Sequence, residues 1–233
     1  MGDKIARLRV TVDEVTPAVV RRVEVPLDIR LDDLHFVLQV AIGWQNCHPF
    51  EFRPAGTNGN TSDGKQSNDK TANGNASINK TSNDTSADGN SSNDKTANGK
   101  SWGLIDRDDP QAERLAAENA TLADLVALGH VFHYDYVYGE DWTHTVELEA
   151  VADAVPAAKY PSLLSAQGRC PPADIGGVDG YENFLRAIAD PNHLHHEAMR
   201  DWDDPEFDPA RVDEAALRAN LADLGKYLGR RKR

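Results

Sequence analysis

Glu140, Asp141 and His144 set two carboxylates and an imidazole in one short span. Facing one another, such groups supply general acid–base catalysis or contribute metal ligands. The phase of the chain weighs against that use. His144 shares the alternation of Trp142, Tyr134 and Tyr136, so a core histidine, hydrogen-bonded inside, is the favoured reading, and Glu140 and Asp141 read as turn residues. His193 and His196, with Glu197 and Arg200, fall on one face of an expected helix, opposite Leu194 and Ala198. Histidines at i, i+3 can share an ion, but helical zinc motifs use i, i+4 with a third ligand elsewhere. A solvated polar face is the plainer reading. Cys170 precedes Pro171-Pro172, with Asp174 close behind. That invites a nucleophile, yet no base is identified within reach and a structural cysteine is favoured. Gly176, Gly177 and Gly180 follow a proline loop rather than a strand, so they form no dinucleotide fingerprint. No cofactor is expected.

The elements that must position these groups are read from periodicity. Phe132, Tyr134, Tyr136 and Tyr138 occupy every second position, Gly139-Glu140 turns the chain, and Trp142, His144, Val146 and Leu148 return. This predicts a hairpin with one aromatic face buried. Ahead of it, Ala6, Leu8, Val10 and Val12 mark one strand, and Val19, Val23 and Val25 mark a second that Pro26 ends. Leu31, Leu34, Leu38 and Ile42 give a helical stripe, with Asp32 and Asp33 in its first turn and Gly43 closing it. Trp44 begins the exit, and His48, Phe50 and Phe52 alternate as a third strand. Thr121 to Asp124 resembles a capping box opening a short helix that Gly129 ends. Four prolines and four glycines over 156–180 predict an ordered irregular loop.

Three helices are expected at the C-terminus, lying over the hairpin. Tyr181, Phe184, Leu185 and Ile188 line the first. A second, roughly His193 to Trp202, is expected to bury Leu194, Ala198 and Trp202. The third is read with Asp208 as N-cap, Pro209 at its first position, and a seam of Leu217, Leu221, Leu224 and Leu228.

Composition bounds the rest. The chain has 233 residues and a net charge of −13. Residues 56–100 hold 10 Asn, 7 Ser, 6 Thr and 6 Gly, with no aromatic residue. Such a stretch cannot bury enough apolar surface to fold, so a single domain interrupted by a disordered insert at about 56–101 is expected. The heptapeptide Asn68–Gly74 recurs unchanged at Asn93–Gly99, without the periodic apolar residues of a solenoid. Five Asp and five Lys cancel within the insert, leaving the negative charge to the folded part. That disfavours general nucleic-acid binding, which needs cations for phosphates. The run Lys226, Arg230, Arg231, Lys232, Arg233 is a local exception, read as a frayed basic tail over 226–233. Cys47 and Cys170 are too few for a disulfide framework. No signal core and no run of ~20 apolar residues is present, so a cytoplasmic chain away from membranes is expected.

Several separated words agree in order with one family. They are the run Tyr134–His144, Cys170-Pro171-Pro172-Ala173-Asp174, Gly176-Gly177, Gly180-Tyr181 and Asp190-Pro191-Asn192-His193, with Pro26-Leu27-Asp28-Ile29, Gly43-Trp44, His48 and Phe207-Asp208-Pro209. The chain resembles the plasmid pRiA4b ORF-3-like family, the open-reading-frame-three proteins of Ri plasmids. The resemblance implies an α+β domain in which an antiparallel sheet rolls around packed helices. It implies no established reaction, and associates relatives with plasmids, putative resolvase labels and a repressor-type segment. Val137, Glu140 and Ala173 depart from the family's pattern, as do Leu163 and Ile175 where relatives carry cysteines.

The expected function is a recognition or accessory domain, associated with mobile elements, that binds a protein or small ligand. Its candidate site comprises His48, Tyr136, Tyr138, Glu140, Asp141, Trp142, His144, Cys170, Asp174 and Tyr181. The competing class is a metal-assisted hydrolase or nuclease using Asp141, His144, Asp174, His193 and His196, which must converge in space. A third reading is DNA association through the basic tail.

Overall fold

The structure is a computed structural model that describes residues 3–44, 48–56, 101–103, 114–136 and 142–231. Alternation of apolar and polar residues produces β1 (Lys4–Val12) and β2 (Val19–Pro26), which pair antiparallel from Ile5↔Pro26 to Val12↔Val19. After α1 (Leu31–Ile42) come β3 (Phe50–Pro54), β4 (Ser101–Gly103) and β5 (Arg114–Ala116). A 3-10 turn (Ala117–Asn119) leads into α2 (Leu122–Val126), whose capping box pairs Thr121 with Asp124 as the spacing predicts. The hairpin follows as β6 (Val131–Tyr136) and β7 (Trp142–Asp153), with Tyr134 opposite His144 and Tyr136 opposite Trp142. The chain closes with β8 (Ser162–Gln167), α3 (Gly177–Ala189), α4 (His196–Arg200) and α5 (Glu214–Arg231). The strands form one sheet in the order β5-β4-β3-β6-β7-β1-β2-β8, antiparallel except for the β4–β5 pair.

The two faces of this sheet differ in kind. Leu8, Val10, Val23, Phe52, Phe132, Tyr134 and Val146 fill the inner face. The outer face carries cross-strand ion pairs, Arg7–Glu24 at 2.8 Å, Arg9–Glu147 at 2.7 Å and Arg22–Glu149 at 2.7 Å. Against the inner face lies α1, buried around most of its circumference because α5 packs on its other side. Leu217, Leu221 and Leu228 form the buried seam of α5, and Leu224 is half-buried beside them.

A helix enclosed this way must satisfy its polar groups internally. Gln39 Nε2 donates to the Tyr134 hydroxyl at 2.8 Å, and His35 Nδ1 lies 2.7 Å from the same oxygen. With the amide donating, the hydroxyl proton is free to meet His35. Arg21 serves the other end. It falls in phase with Val19 and Val23, is 1% exposed, and donates to Ala41 O at 2.7 Å and Ile42 O at 3.1 Å. Those carbonyls belong to the last turn of α1, which has no intrahelical donors for them. Val20 O and Gln167 O complete its partners. Burial pulls this guanidinium down to about 10.

Five expectations require correction. The expected loop over 156–180 contains β8, because Leu163 and Ala166 find partners along the edge of β2. The helix expected over His193–Trp202 shrinks to α4, which buries no residue: Leu194 is 89% exposed and Trp202 49%. α5 begins at Glu214 rather than near Pro209. Asp213 accepts from Ala216 N at 2.9 Å as its cap, while Asp208 closes a turn onto Ala210 N at 2.9 Å. The basic run is helix as far as Arg231, which pairs with Asp33 at 3.0 Å, so Arg231 is anchored rather than frayed. Finally, α1 supplies the polar contacts over the hairpin where the C-terminal helices were expected. The insert between Gly56 and Ser101 and the hairpin turn at Gly139-Glu140 lie outside the described residues.

Candidate functional site

The C-cap of α1 launches the site. Gly43 adopts φ 115°, in the left-handed region, and a Cβ there would meet Cys170 Cβ at 3.3 Å. Glycine therefore both ends the helix and admits the Cys-Pro-Pro loop against it. Trp44, next in the chain, turns back onto the hairpin. Its ring stacks on Tyr136 (centroids 5.3 Å apart), tilts against Trp142 at 5.5 Å, and stands edge-on to His144 at 5.2 Å. Its Nε1 donates to the Pro171 carbonyl at 3.1 Å. One indole thus ties together the helix exit, the hairpin and the loop.

At the rim, the His48 backbone N–H donates to the Tyr136 hydroxyl at 3.2 Å, and His48 Nε2 lies 3.3 Å from Asp174 Oδ1. Asp174 takes a positive φ of 55°, a conformation aspartate tolerates better than most residues. Both side chains reach solvent, so this pair is adjustable rather than fixed. Trp202 Nε1 donates to Ala173 O at 3.3 Å, and Arg169 bonds Asp204 at 3.0 Å while lying 4.4 Å over the Phe207 ring. These contacts brace the loop from the C-terminal side.

Three candidates, His144 and Tyr181 buried and Cys170 partly so, are held uncharged. His144 is fully buried, and its Nδ1 lies 2.8 Å from Tyr134 O. A carbonyl only accepts, so Nδ1 carries the proton, and Nε2 is left without a partner among the described residues. Burial pulls the imidazole down to about 4. The Cys170 thiol donates to Pro171 O at 3.3 Å, and burial pushes it above its ordinary range, although Arg21 pulls the other way. A protonated thiol is a poor nucleophile. Tyr181 is buried against Phe184 and Phe207, and burial, with the nearby Cys170, pushes its hydroxyl up to about 12.

Tyr136, Trp142 and His144 therefore gather around Trp44, His48 joins them through Tyr136, and Cys170 and Asp174 lie on the loop that Trp44 holds. Tyr181 lies behind that loop. Tyr138, Glu140 and Asp141 fall outside the described residues. The shared helical face expected of His193 and His196 does not form. His193 precedes α4 and its Nδ1 accepts from His195 N at 3.2 Å, whereas His196 Nδ1 donates to Ala187 O at 2.8 Å. Among the described residues no group of three His, Cys, Asp or Glu is placed to hold a metal ion. Sequence reading missed Trp44 as the organiser and Arg21 as the helix cap. The signal for Arg21 was present, since an arginine in the buried phase of a strand must find partners inside.

Residues 4–216 match the family described as Plasmid pRiA4b ORF-3-like protein. The chain is 32% identical over 234 residues to the uncharacterized protein y4hQ of Sinorhizobium fredii, covering all of this chain and 98% of that one. It is also similar in fold to a crystal structure of a protein of unknown function, MM3350, from Methanosarcina mazei Go1. The TM-score is 0.69 at 23% identity, over 92% of this chain and 98% of the other. No described helix is long and apolar enough to cross a membrane.

Proposed function

The chain belongs to the plasmid pRiA4b ORF-3-like protein family, and on that premise we propose that it is a cytoplasmic recognition or accessory domain of mobile elements. It works by binding rather than catalysis, holding a protein or small ligand at the aromatic hairpin and the Cys-Pro-Pro loop. The observation that carries this reading is the convergence on Trp44 of three segments distant in sequence. Aromatic walls with a few adjustable polar groups at the rim are the usual make-up of a ligand site. Here Tyr136, Trp44 and Trp142 are buried and form the packed aromatic base, and His48 and Asp174 reach solvent above it as the polar rim. The buried His144 and the partly buried Cys170 are held neutral, which suits a packed floor better than a reacting centre.

A fragment screen read by protein NMR tests it, with phenol- and imidazole-sized compounds as probes. The expected result is shifts at the indole N–H signals of Trp44 and Trp142 and at the His48 ring, lost in His48→Ala/Asp174→Ala with the melting temperature unchanged. Hits that scatter over the surface, or that survive the double substitution, would remove the site.

A further inference from the structure

The segment between α3 and α5 presents an apolar stripe to solvent. Bonds from His196 N to His193 O (2.9 Å), Met199 N to His195 O (2.9 Å) and Asp201 N to Glu197 O (3.0 Å) make helical turns on both sides of the short α4. Leu194, Ala198 and Trp202, four residues apart, therefore follow one another along successive turns, Leu194 just ahead of α4 and Trp202 just beyond it. All three are exposed, Leu194 at 89% and Trp202 at 49%. Along one side of the stripe Met199 turns inward and packs against the core. Along the other side stand Glu197 and Asp201.

Charge distinguishes this face from the rest of the molecule. Residues 190–213 carry eight acidic side chains against two arginines. Arg169 takes up Asp203 and Asp204, whereas no cation among the described residues pairs with Glu197 or Asp201. On the outer sheet face, by contrast, Glu24, Glu147 and Glu149 each have an arginine. Two unpaired carboxylates beside an exposed Leu–Ala–Trp stripe are complementary to a segment with apolar residues on one side and Lys or Arg on the other. The indole is already positioned for contact by its bond to Ala173 O, so little freedom is lost when a partner seats on it.

We propose that the Leu194–Ala198–Trp202 face docks a cationic amphipathic segment of another protein, its apolar side chains on the stripe and its cations against Glu197 and Asp201. This surface adjoins the Cys-Pro-Pro loop through the Trp202–Ala173 bond, but Leu194, Glu197, Ala198 and Asp201 are not among the residues packed around Trp44.

The test uses the full chain and a fluorescein-labelled synthetic Lys/Leu peptide with leucines at helical i, i+4 spacing, followed by anisotropy at low and physiological salt. The expected result is saturable binding that Leu194→Ser/Trp202→Ser weakens at least ~10-fold, as loss of two central anchors should. Circular-dichroism melts should be unchanged for Leu194→Ser alone, whereas loss of the Trp202–Ala173 bond should lower that of the double variant only slightly. Glu197→Gln/Asp201→Asn should weaken binding several-fold and flatten its salt dependence. Equal binding by the Leu194→Ser/Trp202→Ser variant would mean that net charge alone attracts the peptide, and would overturn the proposal. So would absence of binding. Concentration-dependent self-association in sedimentation, abolished by the same variant, would assign the stripe to a second copy of the chain and overturn it too.

Discussion

Trp44 Nε1 donates to the Pro171 carbonyl at 3.1 Å, joining the exit of α1 to a loop 127 positions away. The same ring stacks on Tyr136, so the loop, the helix and the hairpin share one anchor.

Replacing this anchor separates its two roles. Trp44→Phe keeps most of the stacking but strands the Pro171 carbonyl, which should cost about 1–2 kcal/mol. Trp44→Ala also opens a cavity against Tyr136 and Trp142, and should cost about 3–5 kcal/mol. Urea unfolding of the two variants measures both. Equal losses would mean that the hydrogen bond, rather than the ring, holds the three segments together.

Arg21 is a buried cation whose described partners are carbonyls, two of them in the last turn of α1. Removing the guanidinium strands those acceptors, so Arg21→Met should destabilise the fold by about 3–5 kcal/mol. Arg21→Lys retains a charge but loses the planar fork, and should fall between Met and wild type. Equilibrium unfolding that placed Lys no better than Met would show that charge contributes nothing there.

Much of this architecture was legible before any coordinates. The alternations at Leu8, Val10 and Val12 and at Phe132, Tyr134 and Tyr136, and the leucine seam of α5, each report a buried face through a period of 2 or 3.6. What stayed hidden depended on partners far away in sequence. Nothing local reveals that Arg21 meets Ala41, or that Trp44 meets Pro171. The stretch His193–Trp202 misled for a related reason: Leu194, Ala198 and Trp202 have core spacing, but spacing cannot say whether a second surface arrives to cover them. In the site, the hairpin phase correctly placed His144 inward. Its pairing with the Tyr134 carbonyl needed the cross-strand register.

The insert offers a test of modularity. β3 and β4 pair directly, with Phe52 opposite Trp102, so the two ends that residues 57–100 join are already neighbours. Replacing residues 57–99 with a short Gly/Asn linker should leave the fold intact. Closing a loop shorter by tenfold even favours folding, by about 2 kcal/mol. Thermal melts of the shortened chain should therefore match or exceed the parent, and an insoluble product would contradict the linker reading.

His144 predicts how the protein responds to acid. Its folded-state value is pulled down to about 4 by burial, against an ordinary value near 6.5. Above pH ~6.5 the ring is neutral in both states and costs nothing. As pH falls below that, the unfolded chain takes up a proton that the folded chain refuses, so stability declines steadily until about pH 4. The full loss from this group is roughly 3 kcal/mol. His144→Gln offers an amide that can still donate to Tyr134 O but cannot titrate. The variant should be less stable than the parent at pH 8, because a shorter side chain fits the site less well. The gap should then narrow as the pH drops through 6 and 5. Parallel stability curves across that range would mean that His144 binds its proton equally well in the folded and unfolded chains, so that burial does not hold the ring neutral.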